Sequence, residues 1–162
     1  MAGLKLEIAQ RRAFASLEEE VLLNVLRTAD CLSRAFHLKT RGWGVTSTQY
    51  NVLRILRGAH PGGLTCSAIG SRMIAAEPDI TRLLKRLKAR KLIRQRRDSA
   101  DRRVVQTEIS AAGLSLLEEM DPVIVRLPGK LLGHLEQAEL AELIRLLEAI
   151  RERQCQGQEE VR

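Results

Sequence analysis

Aromatic residues are scarce in this chain, with one Trp, one Tyr and two Phe in 162 residues. That is little material for an aromatic ligand pocket. Cys31, Cys66 and Cys155 are odd in number and far apart, which argues against a disulfide framework or a zinc site. His37, His60 and His134 are too scattered to nominate a metal site. No apolar run approaches the ~18 residues of a membrane span. The first twelve residues, Met1 to Arg12, are polar and lack the apolar stretch of a signal peptide, so a cytoplasmic, nucleoid-associated protein is expected. There is no internal repeat, no low-complexity segment, no phosphate loop and no grouping of nucleophile, base and orienting residue. An enzyme is therefore not expected, nor is a cofactor. The ordinary apolar fraction, 44%, argues against global disorder. The length suits one domain with a real core.

What is present is concentrated charge. From Arg72 to Arg103 there are twelve basic residues and four acids, a net +8, whereas the whole chain carries +7 and everything outside the segment sums to −1. A solvated surface normally mixes signs. Clustering of one sign on one predicted helix and one hairpin favours phosphate binding.

The helix in question carries Ile80, Leu83, Leu84 and Leu87 as one apolar stripe. Arg82, Lys85 and Ala89 lie opposite it, flanked by Thr81 and Arg86. Pro78 suits the first helical position, which places Glu77 at the N-cap and Asp79 in the first turn. One face packs and the other offers cations and short hydrogen-bonding groups, as a helix lying in the DNA major groove requires.

The rest of the chain frames that helix. Residues 1–12 read as a frayed start. A wide amphipathic helix is expected from about Phe14 to about His37, with Phe14, Leu17, Val21, Val25 and Leu32 on or near one stripe. Thr40 to Val45 reads as a loop. Thr46 and Gln49 form a capping box for a helix through Arg57, with Tyr50, Val52, Leu53 and Leu56 inward. His60-Pro61-Gly62-Gly63 breaks the pattern. Thr65 caps a first motif helix with Ala68, Ile69 and Met73 inward. Leu92-Ile93 opens a strand paired with Arg102 to Ile109, where Val105, Thr107 and Ile109 share a face. Arg97 to Asp101 is the loop between them. Ser110 caps a helix to about Val125, which Pro122 should kink or break. Pro128-Gly129 marks a second interruption. The last helix runs from about Gln137 to Arg153 with Leu140, Leu143, Ile144, Leu147 and Ile150 on one stripe, and the tail from Gln154 is expected to be disordered.

This order of elements resembles the MarR family of bacterial transcription regulators. The matching residues are Thr46-Ser47-Thr48-Gln49-Tyr50-Asn51-Val52-Leu53, Ile80-Thr81-Arg82-Leu83-Leu84-Lys85-Arg86-Leu87, Asp101-Arg102-Arg103 and Ser110-Ala111-Ala112-Gly113. The resemblance covers roughly Leu17 to Arg153. It implies a mainly α fold with a small β-hairpin wing. A winged helix-turn-helix module (46–109) would be flanked by dimerisation helices (13–38 and 111–154), all within a single domain, 1–162. It further implies a homodimer with a recognition helix in each of two major grooves. Arg103 would enter the minor groove, Asp101 would orient it by a charge-assisted hydrogen bond, and Arg102 would be an accessory phosphate contact. The chain departs from the family at Lys91, where a glycine is usual, at Ala68, where a glutamate is usual, and at Pro128-Gly129. Lys91 must adopt a left-handed conformation or the helix must end differently.

The candidate DNA-contacting set is Thr65, Ser67, Asp79, Thr81, Arg82, Lys85, Arg86, Arg96, Arg97, Asp101, Arg102 and Arg103. Trp43 and Tyr50 are the candidates for an effector cleft, although core packing is the commoner role for both. The expected function is a dimeric, sequence-specific transcription regulator, a repressor of a pseudo-palindromic double-stranded operator that a small-molecule effector relieves. The alternatives are a redox sensor acting through Cys31, which otherwise reads as a small core residue, and a winged-helix module that binds protein.

Overall fold

A computed structural model describes the backbone of residues 3–97 and 101–159, with side chains described through residue 153. The chain divides into two compact units, Met1–Val125 and Arg126–Arg162.

The first unit begins with α1 (Leu4–Glu7), where a frayed start was expected. Leu4 is buried, and Glu7 lies 3.7 Å from Arg27 of the next helix. That helix, α2 (Leu17–Thr40), starts three residues after Phe14, because the Ser16 hydroxyl accepts the Glu19 N–H and so fixes the N-cap there. It also continues three residues past His37. Arg41–Trp43 forms one 3₁₀ turn, closed by Gly44 at φ 68°, in place of a plain loop. α3 (Ser47–Gly58) has the expected capping box: Thr46 Oγ1 accepts from Gln49 N, and Gln49 Oε1 accepts from Thr46 N. Its inner face (Tyr50, Val52, Leu53, Leu56) is buried, and Phe36 of α2 meets the Tyr50 ring at 5.4 Å and 59°.

α4 (Cys66–Gly70) is shorter than expected and does not reach Met73. Thr65 caps it through the Ala68 N–H, and Ile69 is buried, whereas Ala68 and Met73 are half-buried. α5 (Ile80–Ala89) starts two residues later than expected. Asp79, not Glu77, is the N-cap, accepting from Arg82 N at 2.9 Å, and Pro78 precedes the helix. A short side-chain acceptor two to three residues from the free N–H groups outcompetes the longer Glu77. Lys91 takes the left-handed conformation at φ 59°. Its N–H bonds Lys88 O and the Leu92 N–H bonds Leu87 O, the paired bonds of a Schellman ending, with Leu87 and Leu92 both buried.

β1 (Ile93–Arg97) and β2 (Val105–Ile109) pair antiparallel, with Ile93 opposite Ile109 and Arg97 opposite Val105. The second strand begins three residues later than expected, and Val105 is 42% exposed although Thr107 and Ile109 are buried. Leu64 adds a bridge to Thr107 through two backbone bonds of 2.9 and 2.8 Å. α6 (Ala111–Ile124), capped by Ser110, passes through Pro122 and ends two residues beyond it. The expected break is therefore displaced to Val125-Arg126. One core joins α3, α4, α5, the base of the hairpin and α6, through Leu53, Leu56, Ile69, Leu84, Leu87, Ile93, Leu117 and Met120.

The second unit holds α7 (Leu127–Leu132) and α8 (Gln137–Glu159). Pro128 sits in the first turn of α7, so it is compatible with the helix rather than an interruption. α8 extends six residues beyond Arg153, so the backbone there is helical where disorder was expected. The Cys155 side chain lies outside the described residues, as do residues 98–100 of the expected wing tip.

Candidate nucleic-acid interface

α5 separates its two faces as its sequence predicts. Leu83, Leu84 and Leu87 are buried, and Thr81, Arg82, Lys85, Arg86 and Lys88 are exposed. The helix is held at both ends, by the Asp79 carboxylate and by the Schellman bonds. Its cationic face is therefore carried on a rigid element. The hairpin adds Arg97 at the end of β1, and Arg102 and Arg103 in the turn before β2, all exposed.

Several other candidate side chains are engaged within the fold. Thr65 Oγ1 caps α4 and lies 3.0 Å from Ser67 Oγ. Asp79 caps α5. Arg96 pairs with Glu108 across the hairpin, because side chains on one face of adjacent strands lie within reach. Asp101 organises the turn through the main chain: its Oδ1 accepts the Arg103 backbone N–H at 2.9 Å, and its carbonyl accepts the Val104 N–H. The bond was expected at the Arg103 guanidinium; this one goes to the Arg103 main chain, an Asx turn that places the whole residue.

Trp43 is half-buried against the core, and Tyr50 is 7% exposed. Both serve as packing in the first unit. Burial pushes the Tyr50 hydroxyl above its ordinary pKa, and the Asp121 charge adds to that shift against Arg57 and Arg54. Arg57 of α3 grips Asp121 of α6 with two nitrogens, at 2.7 and 3.2 Å, which raises the Arg57 pKa. Cys31 is exposed, not a core residue. The fold of one chain leaves Leu17, Val21, Leu22 and Leu26 of the wide helix α2 exposed. Among the described residues no group of His, Cys, Asp and Glu could hold a metal ion, and no helix is long and apolar enough to cross a membrane.

Three supporting contacts had no signal in the sequence. Arg90 Nη1 donates to Gly44 O, Asn51 Oδ1 accepts the Ile74 N–H, and Arg57 pairs with Asp121. Each joins residues more than twenty positions apart, where local periodicity says nothing.

A capped short helix, a turn, a cationic helix and a basic hairpin define a winged helix-turn-helix protein. The family model for the MarR family matches residues 43–104. The chain is 39% identical to a MarR transcription factor from Planctomyces limnophilus of known crystal structure, covering 85% of this chain and 99% of that one with a TM-score of 0.65. It is 26% identical to Bordetella bronchiseptica BpsR, whose DNA binding is regulated by 6-hydroxynicotinic acid, over 82% of this chain and 98% of that one, with a TM-score of 0.71. A curated relative, the HTH-type transcriptional regulator TtmR of Methylorubrum extorquens, is 33% identical over 106 residues, 65% of this chain. The match spans 53%, about half, of that relative's length. This chain belongs to the MarR family of transcription regulators.

Proposed function

We propose that the chain is a homodimeric, sequence-specific DNA-binding repressor whose operator complex is relieved by a small-molecule effector. The observation that carries the DNA reading is the exposed cationic face of α5, Arg82, Lys85 and Arg86, set opposite the buried Leu83, Leu84 and Leu87. Each module would place this face in a major groove and Arg103 in the adjoining minor groove, where a narrow groove concentrates negative potential. Half-sites would lie about 10 base pairs apart. Arg97 and Arg102 would contact phosphates, with Thr81 beside the base edges. The engaged side chains, Thr65, Ser67, Asp79, Asp101 and Arg96, would contribute chiefly by holding these elements.

Dimerisation is supported by apolar residues that one chain leaves uncovered: Leu17, Leu22, Leu26 and Leu38 on α2, and Ile144 and Ile150 on α8. Effector control is supported by its occurrence in BpsR. An effector that binds a splayed dimer more tightly than the groove-matched one would withdraw the protein from DNA by population shift.

Binding to the DNA upstream of the protein's own gene, with nonspecific competitor present and at two or more salt concentrations, tests this reading. Competitor-resistant, salt-dependent binding is expected. Arg103→Ala should weaken it by tenfold or more, about 1.4 kcal/mol, while leaving the oligomeric state intact. Lys85→Ala should weaken it and reduce the salt slope by about 0.9. Unchanged affinity in Arg103→Ala would remove the minor-groove assignment.

A further inference from the structure

We propose that Arg90 is a positioning residue for DNA reading, a tie that holds the end of the recognition helix on the connection between α2 and α3. The inference rests on the DNA-binding reading above. Composition counts Arg90 with the phosphate-seeking bases of its segment. The geometry uses it differently: Arg90 Nη1 donates to the Gly44 carbonyl at 2.6 Å, a charge-assisted bond between residues 46 positions apart.

Both ends of the tie are rigid. Arg90 is the C-cap residue of α5, and the Schellman bonds of Lys91 and Leu92 fix the backbone on which it stands. Gly44 is left-handed at φ 68°, and its N–H closes the 3₁₀ turn on Arg41 O at 3.0 Å. Val45, next in the chain, is 2% exposed, and Thr46 opens the capping box of α3. The carbonyl that receives Arg90 therefore cannot swing without moving α3 or the end of α2. A displacement of that connection is passed to the C-terminal end of α5, and a displacement of α5 is passed back. Asp79 caps the other end of α5 within the helix itself, whereas the Arg90 bond ties the C-terminal end of the DNA-facing helix to a different element.

The chain supplies its own reporter. Trp43 is its sole tryptophan, it precedes Gly44, and it is half-buried. Full-length wild type, Arg90→Ala and Arg90→Lys should be compared in two measurements. The first is Trp43 emission and its quenching by acrylamide in the free proteins. Arg90→Ala should shift the emission and raise the quenching, and Arg90→Lys, which keeps a cationic donor, should recover most of the wild-type signal. The second is affinity for a duplex that the wild type has selected from a randomised pool, across a range of salt. Arg90→Ala should bind about three- to tenfold more weakly, the effect of losing one exposed charge-assisted bond. Its slope of log K against log salt should equal that of the wild type, since no phosphate contact is lost. Arg90→Lys should restore most of the affinity.

A slope shallower by about 0.9 in Arg90→Ala would make Arg90 a phosphate contact and overturn the proposal while leaving the DNA reading intact. Identical Trp43 signals in all three proteins, or no rescue by Arg90→Lys, would also overturn it. A pool from which the wild type selects nothing would defeat the DNA reading itself and this proposal with it.

Discussion

At the scale of single residues, Tyr50 shows how the support of the DNA-reading module responds to pH. It is the only tyrosine, so phenolate absorbance reports it alone. Burial is the first cause of its raised pKa, followed by the charge of Asp121. A folded-state pKa above the ordinary value near 10 means that folding favours the neutral hydroxyl. The contribution to stability is complete below the unfolded pKa and is lost as pH rises through the folded one. An alkaline absorbance titration should find the midpoint above that of the denatured chain. Asp121→Asn should bring it down, because the neighbouring negative charge goes and Arg57 stays cationic. A wild-type midpoint equal to the denatured one would show that Tyr50 is not desolvated as its 7% exposure suggests.

At the scale of elements, what could be read from the sequence was what is encoded locally. The Thr46–Gln49 box, the Ser110 cap and the stripe of α5 each depend on residues within a turn or two, and each stands as the spacing predicts. The left-handed Lys91 was legible as one of two alternatives, since a helix that must turn sharply into a strand needs such a residue whether or not it is glycine. The competition between Glu77 and Asp79 for the cap was not, because both are acids beside Pro78 and only the path of the preceding turn decides between them. Nor were the Leu64 bridge to Thr107 or the Arg96–Glu108 pair, which exist only once the hairpin has closed. The candidate site was legible as a set of cations. Which of them face outward and which are engaged in the fold was decided by tertiary contacts.

The joint between β1 and α6 offers a test at this scale. A Cβ on Gly113 would lie 2.3 Å from Leu92 O and 2.8 Å from Ile109 Cγ1. Neither neighbour can retreat easily: Leu92 O accepts the Ser110 N–H, and Ile109 is in the core. Gly113→Ala should therefore destabilise the fold by about 2–3 kcal/mol despite the helix propensity it gains, because α6 must lift from the hairpin base. Urea unfolding would measure it. A variant as stable as the wild type would mean that α6 does not sit this close to the entry of β1.

At the scale of the whole molecule, the proposed function needs two copies. The breadth of the α2 apolar face was visible in the sequence, and the fold of one chain does not account for it. Leu26 on α2 and Ile144 on α8 are each 57% exposed. Leu26→Glu and Ile144→Glu should therefore leave the single chain folded, since neither side chain contributes to its core. Burying an unpaired carboxylate in an apolar contact is costly, so each variant should shift the protein from dimer to monomer in sedimentation velocity. The consequence for DNA follows from linkage. A dimer engages its second half-site as an intramolecular event, so losing the partner should weaken operator binding by about a hundredfold or more. The salt slope separates this from damage to the DNA-reading face. The slope scales with the number of phosphates neutralised, so a monomer on one half-site should show about half the dimer's slope. A charge lost from the face alone would trim it by about one unit. Variants that remain dimeric, with wild-type slope and affinity, would show that the uncovered faces of α2 and α8 are not where two copies meet.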